Sequence, residues 1–257
     1  MVVPDEVMDA AEAGNLAAVR EWLESGGDAN DTDSSGSSTL LISVARAGPV
    51  LTDAKTDVAR LLLSHGADVN RVTGDRYNPA HCCAIYPEES NRGPLIQVLL
   101  DAGVNVNATH IDGETPLGTA LTCSIWNTPD HARASLDMIT RLLRAGAALD
   151  AIAGNNSSAE DLLRNEERIF IGQNFRLPPD LCALKALILD VRAAGSWKSY
   201  VRAPPKELLR LRSLIARGRA RKKSRRVNTP REIALLFAPT FPNELFWKVT
   251  TYWNPRY

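Results

Sequence analysis

Four histidines and four cysteines are the side chains of this 257-residue chain whose chemistry could serve a metal ion or a nucleophilic reaction. The histidines are far apart in the sequence, and no two cysteines have the Cys-x-x-Cys spacing of zinc or redox sites. The sequence therefore predicts no metal and no cofactor. The eight residues are His65, His81, His110, His131, Cys82, Cys83, Cys123 and Cys182.

His81 and Cys83 are a neighbouring base and thiol, but two residues apart on a helix they face different directions. The chain also lacks the Gly-x-Ser-x-Gly, Gly-x-x-x-x-Gly-Lys, Gly-x-Gly-x-x-Gly and His-Glu-x-x-His patterns of common catalytic and nucleotide-binding sites. We therefore expect a protein without enzymatic activity, whose cysteines are small, reduced core residues.

The charge of the chain is balanced overall but uneven along its length. There are 30 basic and 30 acidic residues, yet 13 of the bases lie between residues 195 and 231 beside a single acid, and the rest of the chain has a net charge of −12. There is no run of 18 apolar residues, and the acidic start of the chain differs from a signal peptide. We expect a monomer of the cytoplasm or nucleus, without a membrane span.

Four segments of the chain end alike, which indicates an internal repeat. The endings fall at Asn30, Asn70, Asn107 and Asp150, and each follows an apolar stretch with helical spacing. A glycine comes directly after each stretch, where a helix can end in a left-handed residue without steric cost. These glycines are Gly26, Gly66, Gly103 and Gly146.

The start of a unit predicts a turn followed by a helix. Asp112-Gly113 favours a tight hairpin turn. Thr115 can then cap a helix through its hydroxyl, and Pro116 suits the first helical position. Weaker versions of this start occur at Ser38-Thr39-Leu40-Leu41 and at Asn78-Pro79-Ala80-His81.

These starts and endings resemble the ankyrin repeat family. The resemblance rests on Thr115-Pro116-Leu117, on the segment from Asn78 to Ala84 and on the Gly-Ala-Asp-Val-Asn run that ends at Asn70. It covers about residues 5–195 and implies an all-α solenoid of about five helix-turn-helix units with short hairpin loops. It also places His81 where the family has a histidine at a helix start, so we expect a structural hydrogen bond there.

The predicted units are about 5–30, 31–70, 71–107, 108–150 and 151–195, and together they form a domain of residues 1–195. Because an ankyrin unit has about 33 residues, we expect the extra residues of the middle units to form longer loops between paired helices. In the fifth unit, an insertion at 165–180 should precede a helix at 181–194. The first unit lacks a hairpin start, so we expect Asp5 to cap its helix.

The resemblance implies binding to another protein through the concave surface of hairpin tips and first helices, together with the longer loops. Tyr77 is the best aromatic anchor at a tip, and Trp126 in a longer loop is the second. The alternative is that these residues are solvated turns, or that Trp126 covers a neighbouring helix. The predicted partner-binding residues are Asp33, Asp75, Arg76, Tyr77, His110, Asp112, Glu114, Trp126 and Asn155.

Residues 196–257 predict a helical C-terminal extension. Residues 196–203 should be extended or irregular, and helices should begin after Pro205, at Pro230 and at Pro242. Such short helices have apolar faces that must be covered, so we expect either a cap on the repeats or a docking segment.

In outline, these helices resemble the SOCS box and F-box segments of ubiquitin-ligase adaptors. The residues that carry the resemblance are Pro205, Leu208, Leu211, Arg212, Ile215, Arg217, the segment from Phe241 to Leu245, and Tyr252. The cysteine usual in the first SOCS helix is absent, and a basic run interrupts the pattern. The resemblance implies, as an alternative to a simple binding module, an adaptor that joins a partner to a ubiquitin-ligase scaffold.

The basic run between residues 217 and 226 permits two further interpretations. Clustered lysines and arginines are typical of nuclear import signals, and they also bind nucleic-acid phosphates in a salt-sensitive manner. No aromatic residue lies inside the run to stack on bases, so nucleic acid is the less favoured partner. A solvated loop is the remaining alternative. The bases are Arg217, Arg219, Arg221, Lys222, Lys223, Arg225 and Arg226.

Overall fold

The structure, a computed structural model, describes residues 2–46, 53–85, 92–125, 131–150, 152–172 and 179–202. The chain divides into two compact units, Met1–Leu189 and Asp190–Tyr257. The first unit contains the repeats. Within the described residues it has helices and two isolated β-bridges, which join Val2 with Thr32 and Thr32 with Thr39. None of the described helices is both long and apolar enough to cross a bilayer.

The helices of the first unit pack in two layers. In one layer α1, α3, α5, α7 and α9 each contact the next, and in the other α2, α4, α6 and α8 do the same. Each first helix also packs on its own partner, as α3 does on α4. This stack of helix pairs confirms the predicted all-α solenoid. The bounds are α1 (Asp5–Ala13), α2 (Leu16–Glu24), α3 (Leu40–Arg46), α4 (Asp53–Ser64), α5 (Pro79–Ile85), α6 (Arg92–Asp101), α7 (Pro116–Ile125), α8 (His131–Arg144), α9 (Ala159–Gly172) and α10 (Pro179–Ala194).

The predicted helix starts are confirmed by side-chain caps. The Thr115 hydroxyl accepts the N–H of Gly118 at 3.2 Å, and Pro116 is the first residue of α7. At the start of α5, the side-chain oxygen of Asn78 accepts the N–H of His81 at 3.0 Å. These caps satisfy backbone donors that have no partner inside the helix.

Three predictions about helix ends are wrong. Asp5 does not cap α1: it is the first helical residue, Pro4 precedes it, and no side chain caps this end. Residues 165–172 are not an insertion but the second half of α9, because no glycine or proline interrupts the segment before Gly172. In the second compact unit, which begins at Asp190, residues 197–202 are helical rather than extended. The Ser196 hydroxyl accepts the N–H of Ser199 at the start of this helical segment.

In the longer middle units, part of the extra sequence is helical rather than loop. The starts of α4, α6 and α8 lie inside the segments predicted as loops, so those loops are shorter than expected. The intervals 47–52, 86–91 and 126–130 lie outside the described residues, and the prediction for Trp126 lies there too. The same holds for residues 203–257, including the basic run and the predicted C-terminal helices.

The short first helices α3 and α5 are buried on all sides. Residues 40–45 of α3 and 79–84 of α5 are all buried. Burial of each large aliphatic side chain, such as Leu40 or Ile42, contributes about 1.5–3 kcal/mol. These helices therefore offer little surface to a partner, and the expectation that they form part of the binding surface is corrected.

The asparagine that ends each of the first three units binds the backbone of the following unit. The Asn70 amide donates to the carbonyl of Gly103 at 3.3 Å, and its side-chain oxygen accepts the N–H of Asn105 at 2.7 Å. We call Asn30, Asn70 and Asn107 the asparagine latches. The other two latches repeat the pattern, Asn30 with Gly66 (2.9 Å) and Asp68 (2.6 Å), and Asn107 with Gly146 (3.3 Å) and Ala148 (2.8 Å).

The glycines that serve the latches have the left-handed conformation predicted from the sequence. The backbone φ is 83° at Gly66, 85° at Gly103 and 95° at Gly146. This conformation ends the second helix of each unit, and the carbonyl of the glycine accepts the latch amide. The repeated sequence ending is therefore the signature of a repeated contact between neighbouring units.

Candidate functional site

Three successive hairpin turns directly precede α5, α7 and α9. Each is closed by a backbone hydrogen bond, from Thr73 to Tyr77 (3.0 Å), from His110 to Glu114 (3.1 Å) and from Ile152 to Ser157 (2.9 Å). We call the turns 73–77, 110–114 and 152–157 the hairpin ridge.

The backbones of the three turns contact one another directly. The N–H of Ile111 donates to the carbonyl of Asp75 at 2.9 Å, which joins the first two turns. The second and third turns meet at Gly154, where an added Cβ would lie only 1.6 Å from the carbonyl oxygen of Asp112. The main chain therefore joins the turns, and the exposed side chains of Asp75, Ile111 and Asp112 are not needed for this contact.

Four of the predicted partner-binding residues are exposed on this ridge. Asp75, Arg76, Asp112 and Asn155 all point to solvent. The structure adds Ile111 of the second turn, which is 65% exposed and was not predicted. The sequence signal for it was an aliphatic residue placed inside a polar turn, which is the wrong position for a core residue.

His110 is a buried support of the ridge rather than an accessible contact. It is only 4% exposed, and its ring stacks on Tyr77 with centroids 4.5 Å apart and planes 16° from parallel. Its Nδ1 accepts the N–H of Asp112 at 3.0 Å. The prediction that His110 touches a partner is corrected, because the stacking and the turn hydrogen bond place the ring inside the protein.

His81 makes the structural hydrogen bond expected of it. Its Nε2 lies 3.1 Å from the carbonyl oxygen of Glu114, and since a carbonyl can only accept, Nε2 carries the proton. Burial lowers the pKa of His81 to about 4, although the hydrogen bond to Glu114 acts in the opposite direction. The ring is therefore neutral at physiological pH and ties the turn at 110–114 to α5.

The Glu114 carboxylate is held in one orientation at the start of α7. One oxygen accepts the hydroxyl of Thr122 at 2.9 Å, and the other accepts the hydroxyl of Thr119 at 3.1 Å. Its side chain is 22% exposed, so it is accessible and yet fixed.

Tyr77 is half-buried and lies in the field of three carboxylates. Burial raises the pKa of its hydroxyl, and the negative charges of Asp112, Glu114 and Asp75 raise it further. The structure thus brings together residues from two predicted units, around one tyrosine.

Asp33 lies in an earlier turn, residues 33–38, and closes it. Partial burial acts to raise the pKa of Asp33, but hydrogen bonds from the Ser35 hydroxyl and from the N–H groups of Ser37 and Ser38 lower it below its usual value. The Ser35 hydroxyl and the Ser37 N–H lie 2.8 and 2.9 Å from the carboxylate. Much of the carboxylate's hydrogen-bonding capacity is therefore used within its own turn.

The adjacent cysteines are core residues. Cys82 and Cys83 are buried, and burial raises the pKa of Cys83 to about 12 even though the charge of Arg92 acts to lower it. Such a thiol is not a nucleophile at neutral pH. Cys182, in contrast, is exposed, so the expectation of a core position is wrong for it.

Comparison with known sequences agrees with this geometry. Residues 7–110 match the family model described as ankyrin repeats (3 copies). Over 123 residues, or 48% of this chain, the sequence is 37% identical to proteins of Mus musculus and Homo sapiens that are both named ankyrin repeat and SOCS box protein 6. A protein of that name from Pongo abelii is 36% identical over the same length. The chain spans about a quarter of the length of these curated relatives. The helix pairs within residues 7–110 thus match ankyrin repeats, and ankyrin repeats imply binding to other proteins.

Proposed function

We propose that this ankyrin-repeat protein binds a partner protein through the hairpin ridge. One observation carries the proposal: the three turns are joined by main chain, so the side chains of Asp75, Ile111 and Asp112 are exposed and are not needed to join the turns. A surface fixed in advance loses little conformational freedom when a partner binds. An exposed aliphatic group beside charged groups also has the composition of an interface centre with its polar rim.

Affinity capture with the full chain and two matched variants tests this proposal. Ile111→Ser removes the aliphatic group of the ridge, and Ile171→Ser removes a similarly exposed one, 60% accessible, from α9. We expect partners captured by the unchanged chain to be lost with Ile111→Ser and kept with Ile171→Ser, while both variants melt like the parent. Equal retention or equal loss with the two variants would contradict the proposal.

A second candidate is an adaptor that carries the bound partner to a ubiquitin-ligase scaffold. The names of the relatives join ankyrin repeats with a SOCS box, and the apolar pattern around Leu208, Leu211 and Leu245 is similar in outline to such a box. Because the match covers 27% of the relatives, it supports the candidate only through their names and the pattern in this chain.

The adaptor candidate is tested by placing one charge at two positions of the predicted helix after Pro205. Leu211→Asp disrupts its apolar stripe, whereas Ser213→Asp adds the same charge off the stripe. We expect only Leu211→Asp to abolish capture of a ligase scaffold, with the helical signal of the repeats intact. If Leu211→Asp unfolds the repeats, the extension is a cap; if it keeps the scaffold, the adaptor candidate fails.

A further inference from the structure

We infer that the hairpin ridge recognises an extended partner segment in which an arginine or lysine lies two positions from an aliphatic residue. This inference rests on the proposed function and names the chemistry of its partner. It stands on three features of the ridge: its charge, its exposed aliphatic group and the contact between its turns.

The charge of the ridge favours a cation. Asp75, Asp112 and Glu114 supply three carboxylates, and Arg76 is the base beside them, which leaves a net charge of −2 for these four residues. The Asp112 side chain is 82% exposed and free to approach a partner, whereas the Glu114 carboxylate is fixed by two threonine hydroxyls. A carboxylate fixed in advance makes a stronger charge-assisted hydrogen bond to a cation, because little freedom remains to be lost.

The carboxylates of Asp75, Asp112 and Glu114 all act on the Tyr77 hydroxyl. Burial is the largest cause of the raised pKa of the Tyr77 hydroxyl, and the charges of Asp112, Glu114 and Asp75 raise it further, so these carboxylates make the potential beside the hydroxyl more negative. A guanidinium or ammonium group placed there is stabilised by the same field that opposes ionisation of the tyrosine. The Tyr77 ring cannot turn away easily, because it is stacked on the buried ring of His110.

The exposed aliphatic group lies next to this negative region. Ile111 precedes Asp112 in the chain, and its N–H is bonded to the carbonyl of Asp75. In an extended peptide, residues i and i+2 point to the same side, so one segment can place a cation at the carboxylates and an aliphatic side chain on Ile111. A polar partner segment would leave Ile111 in contact with water.

The second and third turns of the ridge meet at glycine residues, which have no side chain. Gly113 and Gly154 lie at the contact between the second and third turns, and the Cβ that either would gain lies within 2.8 Å of the other turn's backbone. The main chains of the two turns therefore pack directly against each other beside Asp112, which fixes the position of that residue. The charge also argues against a second copy of this chain as the occupant, because two such ridges repel each other.

Binding of labelled peptides to the full-length protein tests the inference. The probe is a Gly/Ser peptide with the core Arg-Ser-Ile-Ser-Arg, compared by fluorescence anisotropy with peptides containing Glu-Ser-Ile-Ser-Glu and Arg-Ser-Ser-Ser-Arg. We expect the first to bind about tenfold more tightly than the acidic peptide and about fivefold more tightly than the peptide without isoleucine. Equal binding of the first two peptides, or no binding of the first, would overturn the inference.

Three variants separate the ridge from general attraction to an acidic protein. Ile111→Ser and Asp112→Asn should each weaken binding of the arginine–isoleucine peptide about tenfold. Asp57→Asn is the control, because Asp57 is an exposed carboxylate of α4, paired with Arg60 at 3.0 Å. If Asp57→Asn weakens binding as much as Asp112→Asn, the attraction is general and the inference fails.

The two proposals can fail separately. If Ile111→Ser abolishes partner capture but the arginine–isoleucine peptide does not bind, the ridge binds a partner of another class and only the inference is lost. If Ile111→Ser leaves partner capture unchanged, the proposed function is lost.

Discussion

The asparagine latches and the hairpin ridge both join neighbouring repeats, but they do so with different parts of the chain. At the latches a side-chain amide reaches the backbone of the next unit, as Asn70 reaches Gly103 and Asn105. At the ridge, backbone meets backbone between Asp75 and Ile111. The side chain is used for support at the latches and is left available for recognition at the ridge.

This difference shows that exposure alone does not identify a binding residue. Asn70 and Asp112 are both exposed polar side chains, yet one holds two units together and the other makes its contacts mainly through its main chain. Variants of the latches should therefore change stability and leave binding intact, and variants of the exposed ridge side chains Ile111 and Asp112 should do the reverse.

The largest expected effect comes from forcing apart two turns of the ridge with Gly154→Ala. The added Cβ would lie 1.6 Å from the Asp112 carbonyl oxygen, so the turns must separate, at a cost of about 3 kcal/mol in the free energy of unfolding. Gly74→Ala is the control, because a Cβ there meets nothing within 4 Å. Urea unfolding measures both, and similar stabilities for the two variants would show that the turns do not depend on their contact.

Acid should weaken the support beneath the ridge through His81. The unfolded chain takes up a proton near pH 6.5, but the folded imidazole does so only near pH 4, so this contribution to stability is complete above pH 6.5 and is lost as the pH falls towards 4. We expect a loss of about 2 kcal/mol between pH 7 and pH 5. His81→Gln should lack this part of the loss, and urea unfolding at both pH values checks it. Identical pH dependence in the two proteins would refute the prediction.

Loss of one latch should have a moderate effect on stability and none on binding. Asn70→Ala removes two hydrogen bonds between units, and we expect a loss of about 1.5 kcal/mol. Asn155→Ala, which removes a bond to Ser157 inside a ridge turn, should cost about 0.5 kcal/mol. Urea unfolding gives the stabilities, and anisotropy of the arginine–isoleucine peptide should be unchanged by Asn70→Ala. A weaker affinity there would mean that latch and ridge are not separate.

The smallest effect is expected from Arg76→Gly, and it should be stabilising. Arg76 has a φ of 65°, a conformation that costs a residue with a side chain more than it costs glycine. Relief of that strain, less the extra flexibility of glycine when unfolded, should stabilise the protein by about 0.5 kcal/mol. The peptide should bind about twofold more tightly, since a like charge is removed. Arg71→Gly, an exposed arginine without a positive φ, should not stabilise, and an equal gain there would count against the strain.

The sequence predicted the repeats well because their signals are local. Thr115 and Pro116 fix a helix start within a few residues, and Gly66 fixes a helix end by its own conformation. The extent of α9 was mispredicted because the segment after Arg164 is polar, and a polar segment is typical of a loop when its packing in the fold is not known. The start of α1 was mispredicted by one residue, since Pro4 and Asp5 are both plausible just before a helix.

The ridge could be predicted only in part, because it depends on contacts between units. The sequence identified Asp75, Tyr77 and Asp112 as tip residues, but it could not show that His110 is stacked under Tyr77. The exposure of Ile111 was not predicted, although the residue stands inside a polar turn, because an isoleucine is usually a core residue. The stacking of His110 and the exposure of Ile111 both depend on how the turn 110–114 packs on the turn 73–77, and the sequence of one repeat does not specify that packing.

The asparagine latches also have a consequence for a chain under tension. Each latch joins one unit only to the next, through two hydrogen bonds whose partners are 33 to 41 residues further along the sequence. Contacts of this range are broken one unit at a time rather than all at once. Pulled from its ends, the repeat array should lengthen in a series of small steps and recover them in turn when the force is released.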